Sequence, residues 1–311
     1  MAKAHQPAYI ESYRSGLLSR RIRTARRVLR ACTLCPRQCR IDRLKQVQTG
    51  TCNTQELAWV SSFQAHFGEE APLVGSRGSG TIFFTHCNLL CNFCQNFDIS
   101  HGGIGQAVSD HQLADMMLAL QQAGCHNINF VTPSHVVAQI LSALALACEQ
   151  GLRIPLVYNS GGYDCVETLQ LLDQIIDIYM PDFKFWDPSI ATLTCQAPDY
   201  PQIAQAALRE MHRQVGDLIV DEDGIARRGL LVRHLVMPDG LAGTKPVMQF
   251  IAKEISTNTY VNIMPQYRPC GDLKSTPQLQ RAITRAEFEK ALEEARQAGI
   301  RHLDEPRWGL F

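Results

Sequence analysis

The chain has 311 residues, 45% of them hydrophobic, which is enough for a sizeable core in one large domain or in one domain with an appendage. Thirty basic and thirty acidic side chains cancel, so no overall field draws the protein to nucleic acid or to a membrane surface. No apolar run approaches the ~20 residues that span a bilayer, and the first residues lack the apolar core of a secretory signal. Twelve cysteines in such a chain favour metal ligation over disulfides, so we expect a reducing, cytoplasmic setting.

The first predicted element is a basic helix over residues 9–31. Its apolar side chains recur at helical spacing, and arginines fill the positions between them. These are Arg20, Arg21, Arg23, Arg26, Arg27 and Arg30. Two interpretations stand: a helix packed on the body with a solvated arginine face, or a docking surface for an acidic electron donor such as a flavodoxin.

Four cysteines follow this helix with the spacing C-x2-C-x3-C-x12-C. They are Cys32, Cys35, Cys39 and Cys52, which we call the quartet. Four thiolates so close together predict a closed metal site, either an additional iron–sulfur cluster or structural zinc; unligated thiols are the remaining alternative. Either metal would help to fold a segment with little core of its own. We therefore predict an N-terminal helical, cysteine-rich metal-binding segment over residues 1–60.

Residues 61–311 alternate short β-rich runs with helical stretches, which predicts an α/β domain with a parallel sheet. The predicted strands are residues 81–85, 127–132, 154–159, 175–179, 230–236 and 260–264. The predicted helices are residues 110–123, 136–150, 165–172, 200–214, 245–253 and 286–298. Residues 215–228 are expected to form a hairpin or turn insertion with Asp223–Gly224 as its turn, and His135 is expected to cap the helix that follows it.

A second cysteine group lies directly after the first predicted strand, in the sequence TIFFTHCNLLCNFCQN. Cys87, Cys91 and Cys94 have the spacing C-x3-C-x2-C, and we call them the triplet. A four-iron cluster normally takes four thiolates, so three of them leave one iron open for a ligand that is not protein. The alternatives are a zinc knot with a distant fourth ligand, or three reduced core thiols. The other five cysteines are predicted to be ordinary thiols: Cys125, Cys148, Cys165, Cys195 and Cys270. Cys165 and Cys270 lie close to predicted rim loops, so donating or accepting hydrogen is the alternative for either of them.

The triplet, with the aromatic Phe93 just before its last cysteine, resembles the signature of the radical S-adenosylmethionine (SAM) superfamily. The resemblance implies a [4Fe–4S] cluster whose open iron binds the amino and carboxylate groups of SAM. It further implies reductive cleavage of SAM to a 5′-deoxyadenosyl radical that abstracts hydrogen from a substrate, and places Phe93 against the adenine. The six predicted strands resemble the partial (β/α)6 TIM-like barrel of these enzymes.

Parallel barrels place their chemistry at the carboxyl ends of the strands. Asp182-x-Lys184 and Arg233, at the ends of the fourth and fifth strands, resemble motifs of the pyruvate formate-lyase activating enzyme branch, in which they hold the carboxylate of SAM. An ordinary ion pair at a strand end is the alternative for Asp182 and Lys184. The Gly-Gly-Glu motif usual after the second strand is absent, so hydroxyl groups at that position are offered as SAM contacts instead. The remaining predicted cofactor-binding residues are Thr132, Ser134, Asn159 and Gln266.

The resemblance is to the pyruvate formate-lyase activating enzyme-related group and implies a radical SAM oxidoreductase. The radical would activate a glycyl-radical protein or modify an unassigned small molecule. A flavodoxin or ferredoxin-type protein would be the reductant, and no residue is predicted to act on the substrate itself. A non-catalytic iron–sulfur or zinc electron-transfer protein is the alternative from another class.

Overall fold

The structure is a computed structural model that describes residues 6–45 and 48–304. A ten-stranded mixed sheet forms its centre. The strands are β1 (Ala58–His66), β2 (Ser79–Phe84), β3 (Gln106–Val108), β4 (Ile128–Val131), β5 (Leu156–Ser160), β6 (Ile178–Pro181), β7 (Ile219–Val220), β8 (Ala226–Leu235), β9 (Tyr260–Met264) and β10 (His302–Asp304). They lie in the order β10-β9-β8-β6-β5-β4-β2-β1-β3, and β7 pairs with β8 beside this path.

The parallel part of the sheet contains all six predicted strands. β2, β4, β5, β6, β8 and β9 pair in parallel, each with its neighbour in this series. Helices connect them, as parallel neighbours require. The predicted α/β class with a parallel sheet is therefore confirmed. β10 extends the same series by pairing in parallel with β9.

Three further strands are antiparallel. β1 pairs with β2, and β3 pairs with β1, so together they extend one edge of the sheet. No strand was predicted before residue 81, so β1 is an addition to the expected fold. β7 pairs with the start of β8, and this confirms the hairpin predicted for residues 215–228.

Eleven α-helices lie within the described ranges. They are α1 (Ala8–Arg14), α2 (Leu17–Val28), α3 (Ala71–Val74), α4 (Phe97–Ser100), α5 (Asp110–Gln122), α6 (Val137–Glu149), α7 (Val166–Leu171), α8 (Pro188–Cys195), α9 (Tyr200–Val215), α10 (Thr244–Phe250) and α11 (Arg285–Gln297). Ser109 and Thr284 form capping boxes that begin α5 and α11. A π-helical turn, Ile251–Ile255, continues α10.

Two expectations about helices are wrong. The single N-terminal helix is two helices, because Gly16 adopts φ 74° between α1 and α2, a conformation that ends a right-handed helix. His135 does not cap α6: its N-cap is Val136, without a side-chain cap. Instead, the buried His135 imidazole donates from Nε2 to the Thr85 carbonyl at 3.0 Å.

The N-terminal helices pack onto the body. Tyr9 is fully buried and donates its hydroxyl to the Ile154 carbonyl, while Ser12 donates to the Gln174 carbonyl. The predicted division at residue 60 falls inside β1. Residues 1–5, 46–47 and 305–311 of the two predicted segments lie outside the described ranges.

The two faces of the parallel sheet have different surroundings. One face packs on the helices, and the other carries a separate apolar cluster at the amino ends of the strands, made of Leu73, Val157, Ile178, Met180, Ala226 and Leu231. Because alternate residues of a strand share a face, Asp182 and Arg233 continue the face of Met180 and Leu231 towards the carboxyl ends. We call this face the lumen face; α3 fills its lower end with Leu73.

No helix of the described ranges combines the length and the apolar character needed to cross a lipid bilayer.

Candidate functional site

The triplet lies on the loop that leaves the carboxyl end of β2. His86 and Leu90 adopt φ of 65° and 54° in this loop, so the chain turns sharply on either side of Cys87. The three thiols line one cavity of about 360 Å³. This volume falls in the range of small-molecule sites. The loop therefore aims all three sulfurs into the same space.

Each triplet sulfur accepts at least one hydrogen bond from its surroundings. The donors are the Leu89 amide to Cys87 at 3.3 Å, the Cys195 thiol to Cys91 at 3.3 Å, and the Ser100 hydroxyl to Cys94 at 3.2 Å. Burial raises the pKa of the Cys87 thiol to about 12 and also raises the pKa of Cys94. Isolated thiols here would stay protonated, while hydrogen bonds to sulfur stabilise thiolates that bind iron. The residues present thus fit a metal-bound state.

Cys195 is the main addition to the predicted site. It ends α8, is buried, and lies against Cys91. The sequence prediction treated it as an ordinary thiol because no second cysteine stands at ligand spacing. Its helix was also not predicted, since α8 is rich in β-branched residues of low helix propensity.

A charged group lines the cavity beside the triplet. Lys184 Nζ donates to Asp182 Oδ2 at 2.5 Å, and Arg233 Nε donates to Asp182 Oδ1 at 2.9 Å. Arg233 Nη2 also donates to Asn159 Oδ1 at 2.6 Å. Burial alone would raise the pKa of Asp182, but Arg233 and Lys184 more than offset it and hold that pKa below its ordinary value. The predicted ion pair is present, with two cations around one carboxylate.

The other predicted cofactor-binding residues divide into two sets. Phe93, Thr132 and Gln266 line the same cavity as the triplet, and Phe93 packs edge-on to Phe185 with ring centroids 5.6 Å apart. Ser134 is not among the residues that line the cavity. It is buried and forms a hydrogen bond with Asp164. Burial raises the pKa of Asp164, and the bond with Ser134 offsets part of that rise.

His66 and Glu69 are among the cavity residues that the sequence prediction missed. His66 ends β1, and Glu69 follows it on the way to α3. Neither residue belongs to a recognisable motif. Only the pairing of β1 with β2 brings this segment to the cavity, and β1 itself was not predicted.

The quartet forms a second, separate group. Cys32, Cys35 and Cys52 are buried and Cys39 is partly exposed. Burial raises the pKa of Cys35, and the nearby Cys52, Cys32 and Cys165 raise it further. Gly50 leaves room for the Cys39 side chain, since a Cβ at residue 50 would lie only 2.8 Å from Cys39 Sγ. The proximity of Cys165, which the sequence prediction did not connect with the quartet, depends on the packing of α7.

Arg43 lies against the quartet with almost no exposure, at 1%. Its guanidinium donates to the Gln55 carbonyl at 2.8 and 3.1 Å and to the His135 carbonyl at 2.8 Å. Within the described ranges it forms no ion pair with a carboxylate, and Cys32 Sγ lies 3.7 Å from Nη1. Because an unpaired buried charge is costly, anionic sulfur is the counter-charge that this environment offers.

Arg37 joins the quartet segment to the triplet loop. Its guanidinium donates to the carbonyls of Asn88 and Leu89, which lie between the first two triplet cysteines. It also donates to the carbonyls of Cys195 and Gln196 at the end of α8. One side chain therefore fixes both walls of the triplet site from the quartet segment.

In the described ranges, no group of three or more His, Cys, Asp or Glu side chains is arranged to hold a single metal ion. A single zinc ion needs each sulfur about 2.3 Å away, which brings the sulfurs close together. A cubane cluster instead binds each thiolate through a different iron, so it needs a wider arrangement of sulfurs.

No protein-family model matches the chain. A protein of Methanocaldococcus jannaschii with the name "Uncharacterized protein MJ0674" is 32% identical over 293 residues, covering 91% of this chain and 80% of that protein. The chain belongs to the family of this archaeal protein.

Proposed function

We propose that the protein is a radical SAM enzyme, an oxidoreductase that uses SAM at a [4Fe–4S] cluster held by Cys87, Cys91 and Cys94. One observation carries the proposal: three hydrogen-bonded thiols share a cavity with two cations that flank a single carboxylate. A protein that only stored metal or carried electrons would have no use for a carboxylate-binding group in that position.

The fold that we assign is a partial (β/α)6 barrel. Six parallel strands pair in chain order with helices between them, and their lumen face is apolar at the amino ends and charged at the carboxyl ends. Active sites of barrels built from βα units lie at the carboxyl ends, where the triplet and the charged group lie.

In this proposal the chain binds and orients SAM. When bound, the reduced cluster supplies the electron that cleaves SAM to a 5′-deoxyadenosyl radical. Lys184 and Arg233 hold the SAM carboxylate, since Arg233 retains donor groups beyond those used on Asp182 and Asn159. Phe93 lies against the adenine. Thr132 and Gln266, at neighbouring strand ends, complete the wall around it.

The quartet holds a second metal centre in this proposal, either a [4Fe–4S] cluster or zinc; a single zinc ion would require the quartet sulfurs to move closer together than they lie here. Arg43 supports ligation, because both centres would place anionic thiolates next to a buried guanidinium. A cluster would relay electrons towards the triplet through the segment that Arg37 fixes, from a reduced flavodoxin or ferredoxin-type donor. Zinc would stabilise the fold only.

The radical has two candidate uses: installing a glycyl radical on a partner protein, or abstracting hydrogen from a small molecule. The resemblance to the activating-enzyme branch favours the first. A glycyl-radical signal on a purified partner after mixing would support it, and radical-dependent conversion of a small molecule would support the second.

The proposal is tested by anaerobic reconstitution of the full chain with iron and sulfide, followed by dithionite and SAM. We expect 5′-deoxyadenosine from the wild type and none from Cys91→Ala. Cys125→Ala is the matched control, because Cys125 is also buried but does not line the cavity.

Continued production of 5′-deoxyadenosine by Cys91→Ala would remove the assignment of the triplet. Its absence from a fully loaded wild type would instead favour a non-catalytic electron-transfer protein. Iron per chain in a Cys32→Ala/Cys35→Ala variant distinguishes a cluster from zinc at the quartet.

A further inference from the structure

The cavity extends away from the triplet to a polar floor formed by the connection between β1 and α3. His66 and Glu69 line it there. Glu69 has only 8% of its side chain exposed, and His66 Nδ1 donates to its Oε1 at 3.0 Å. Arg233 Nη1 lies 3.6 Å from Glu69 Oε2, which is beyond hydrogen-bond length. One oxygen of a buried carboxylate thus lacks a close donor from Arg233.

Three side chains around Glu69 have buried polar atoms without a hydrogen-bond partner. They are Asn129, at Oδ1, Glu70, at Oε2, and Asn262, at Oδ1. The amide group of Asn129 interacts with the Glu69 carboxylate and helps to hold the pKa of Glu69 down. Asn129 is fully buried and Glu70 is 5% exposed. Buried polar groups are nearly always hydrogen-bonded, so each exception needs an explanation.

Two of these side chains, Asn129 and Asn262, belong to the lumen face. Asn129 stands two residues before Val131, and Asn262 two residues before Met264, and both of these later residues line the cavity. Residues two apart in a strand share a face. Glu70 accepts a hydrogen bond from Asn262 Nδ2 at 2.8 Å, which links the floor to β9.

The unpartnered atoms are mostly acceptors. Asn262 Oδ1 and Asn129 Oδ1 can only accept, and Glu70 Oε2 accepts when that carboxyl group is ionised, although burial raises its pKa. His66 and Arg233 help to keep Glu69 ionised, against the effect of its burial. A site with a carboxylate and surplus acceptors suits a group that brings several N–H donors and a positive charge.

We propose that this floor, with Glu69 as its charged member, binds a cationic nitrogen group of the substrate, an ammonium or a guanidinium. The inference rests on the proposed function, because it takes the triplet end of the cavity as the place of SAM. The methionine part of SAM also carries an ammonium, so the two sources of that chemistry must be separated by experiment.

The first arm uses butylguanidinium and butylammonium as probes, with butanol and butyrate as uncharged and anionic controls. Binding to the anaerobically reconstituted full chain is measured by calorimetry. We expect the cations alone to bind, and Glu69→Gln to weaken them roughly tenfold or more, as the loss of a charge-assisted hydrogen bond requires. Glu222→Gln, on the exposed turn of the β7–β8 hairpin, should bind them like the wild type.

The second arm compares SAM with its analogue that lacks the amino group. If Glu69→Gln weakens SAM but not the analogue, the floor holds the ammonium of SAM and the substrate assignment is overturned. Equal binding of the cations by wild type and Glu69→Gln overturns the site itself. Urea unfolding of Glu69→Gln verifies that the variant is folded.

Failure of the proposed function gives a different result. In that case no 5′-deoxyadenosine forms from the wild type, whereas binding of the cationic probes is still measured directly and does not depend on turnover.

Discussion

Arg43→Met is the substitution whose effect depends most on metal at the quartet. It keeps an unbranched chain as far as the position of Nε and removes the guanidinium with its charge and all its donors. The Gln55 and His135 carbonyls then lose their partners, at a net cost of about 1–2 kcal/mol after relaxation and entry of water. If the quartet holds metal through thiolates, their charge also loses its buried counter-ion, which raises the total cost to about 3–5 kcal/mol.

The assay is anaerobic urea unfolding of wild type and Arg43→Met, each in the metal-loaded and in the chelator-stripped form. We expect the variant to be destabilised more in the loaded form, by about 2–3 kcal/mol relative to the stripped form. Arg285→Met serves as control, because its exposed ion pair with Glu289 should contribute below about 1 kcal/mol in both forms. An equal cost in loaded and stripped protein would refute the argument that thiolates balance Arg43.

Three further predictions concern the triplet, the basic helix and acid stability. Cys195→Ala removes the hydrogen bond to Cys91 and should lower the cluster potential by roughly 40 mV, the one-electron equivalent of about 1 kcal/mol; an unchanged potential in an EPR-monitored titration would contradict this. Arg23→Glu with Arg27→Glu, on the exposed side of α2, should slow reduction by an acidic flavodoxin about tenfold at low salt, whereas the rate with dithionite should not change; equal slowing with both reductants would exclude a docking role. Burial lowers the pKa of His135 to about 3. As the pH falls, the unfolded chain therefore binds a proton at this imidazole before the folded chain does, and the free energy of unfolding should decrease by about 3 kcal/mol between pH 6.5 and 4. In urea unfolding, the midpoint of His135→Gln should decrease less over this pH range than the midpoint of the wild type. Identical pH profiles of the two proteins would show that other groups cause the loss of stability.

The strands that the sequence predicts correctly are those buried on both faces. β4, β5 and β6 are short apolar runs between helical stretches, and this pattern is a local property of the chain. β1 was not predicted because its later residues are half-exposed and it is held by pairing with β2 and β3. The break at Gly16 was missed because helical periodicity continues across the glycine.

The same distinction explains what was predicted of the site. Triplet spacing and the Asp182–Lys184 pair are local patterns and were found from the sequence. The contact of Cys195 with Cys91 joins residues 104 positions apart, and Glu69 reaches Arg233 only through the folded sheet. Neither contact has a spacing that a single sequence displays.

Leu73 gives the cavity a closed lower end, because it packs there among Val157, Ile178 and Leu231. A molecule that reaches Glu69 therefore cannot enter from below, and we expect it to pass the rim where the triplet lies. A nucleotide seated across that rim would trap whatever lies deeper. Steady-state kinetics should then follow a compulsory sequence, in which the substrate enters first, SAM second, and 5′-deoxyadenosine departs before the product does.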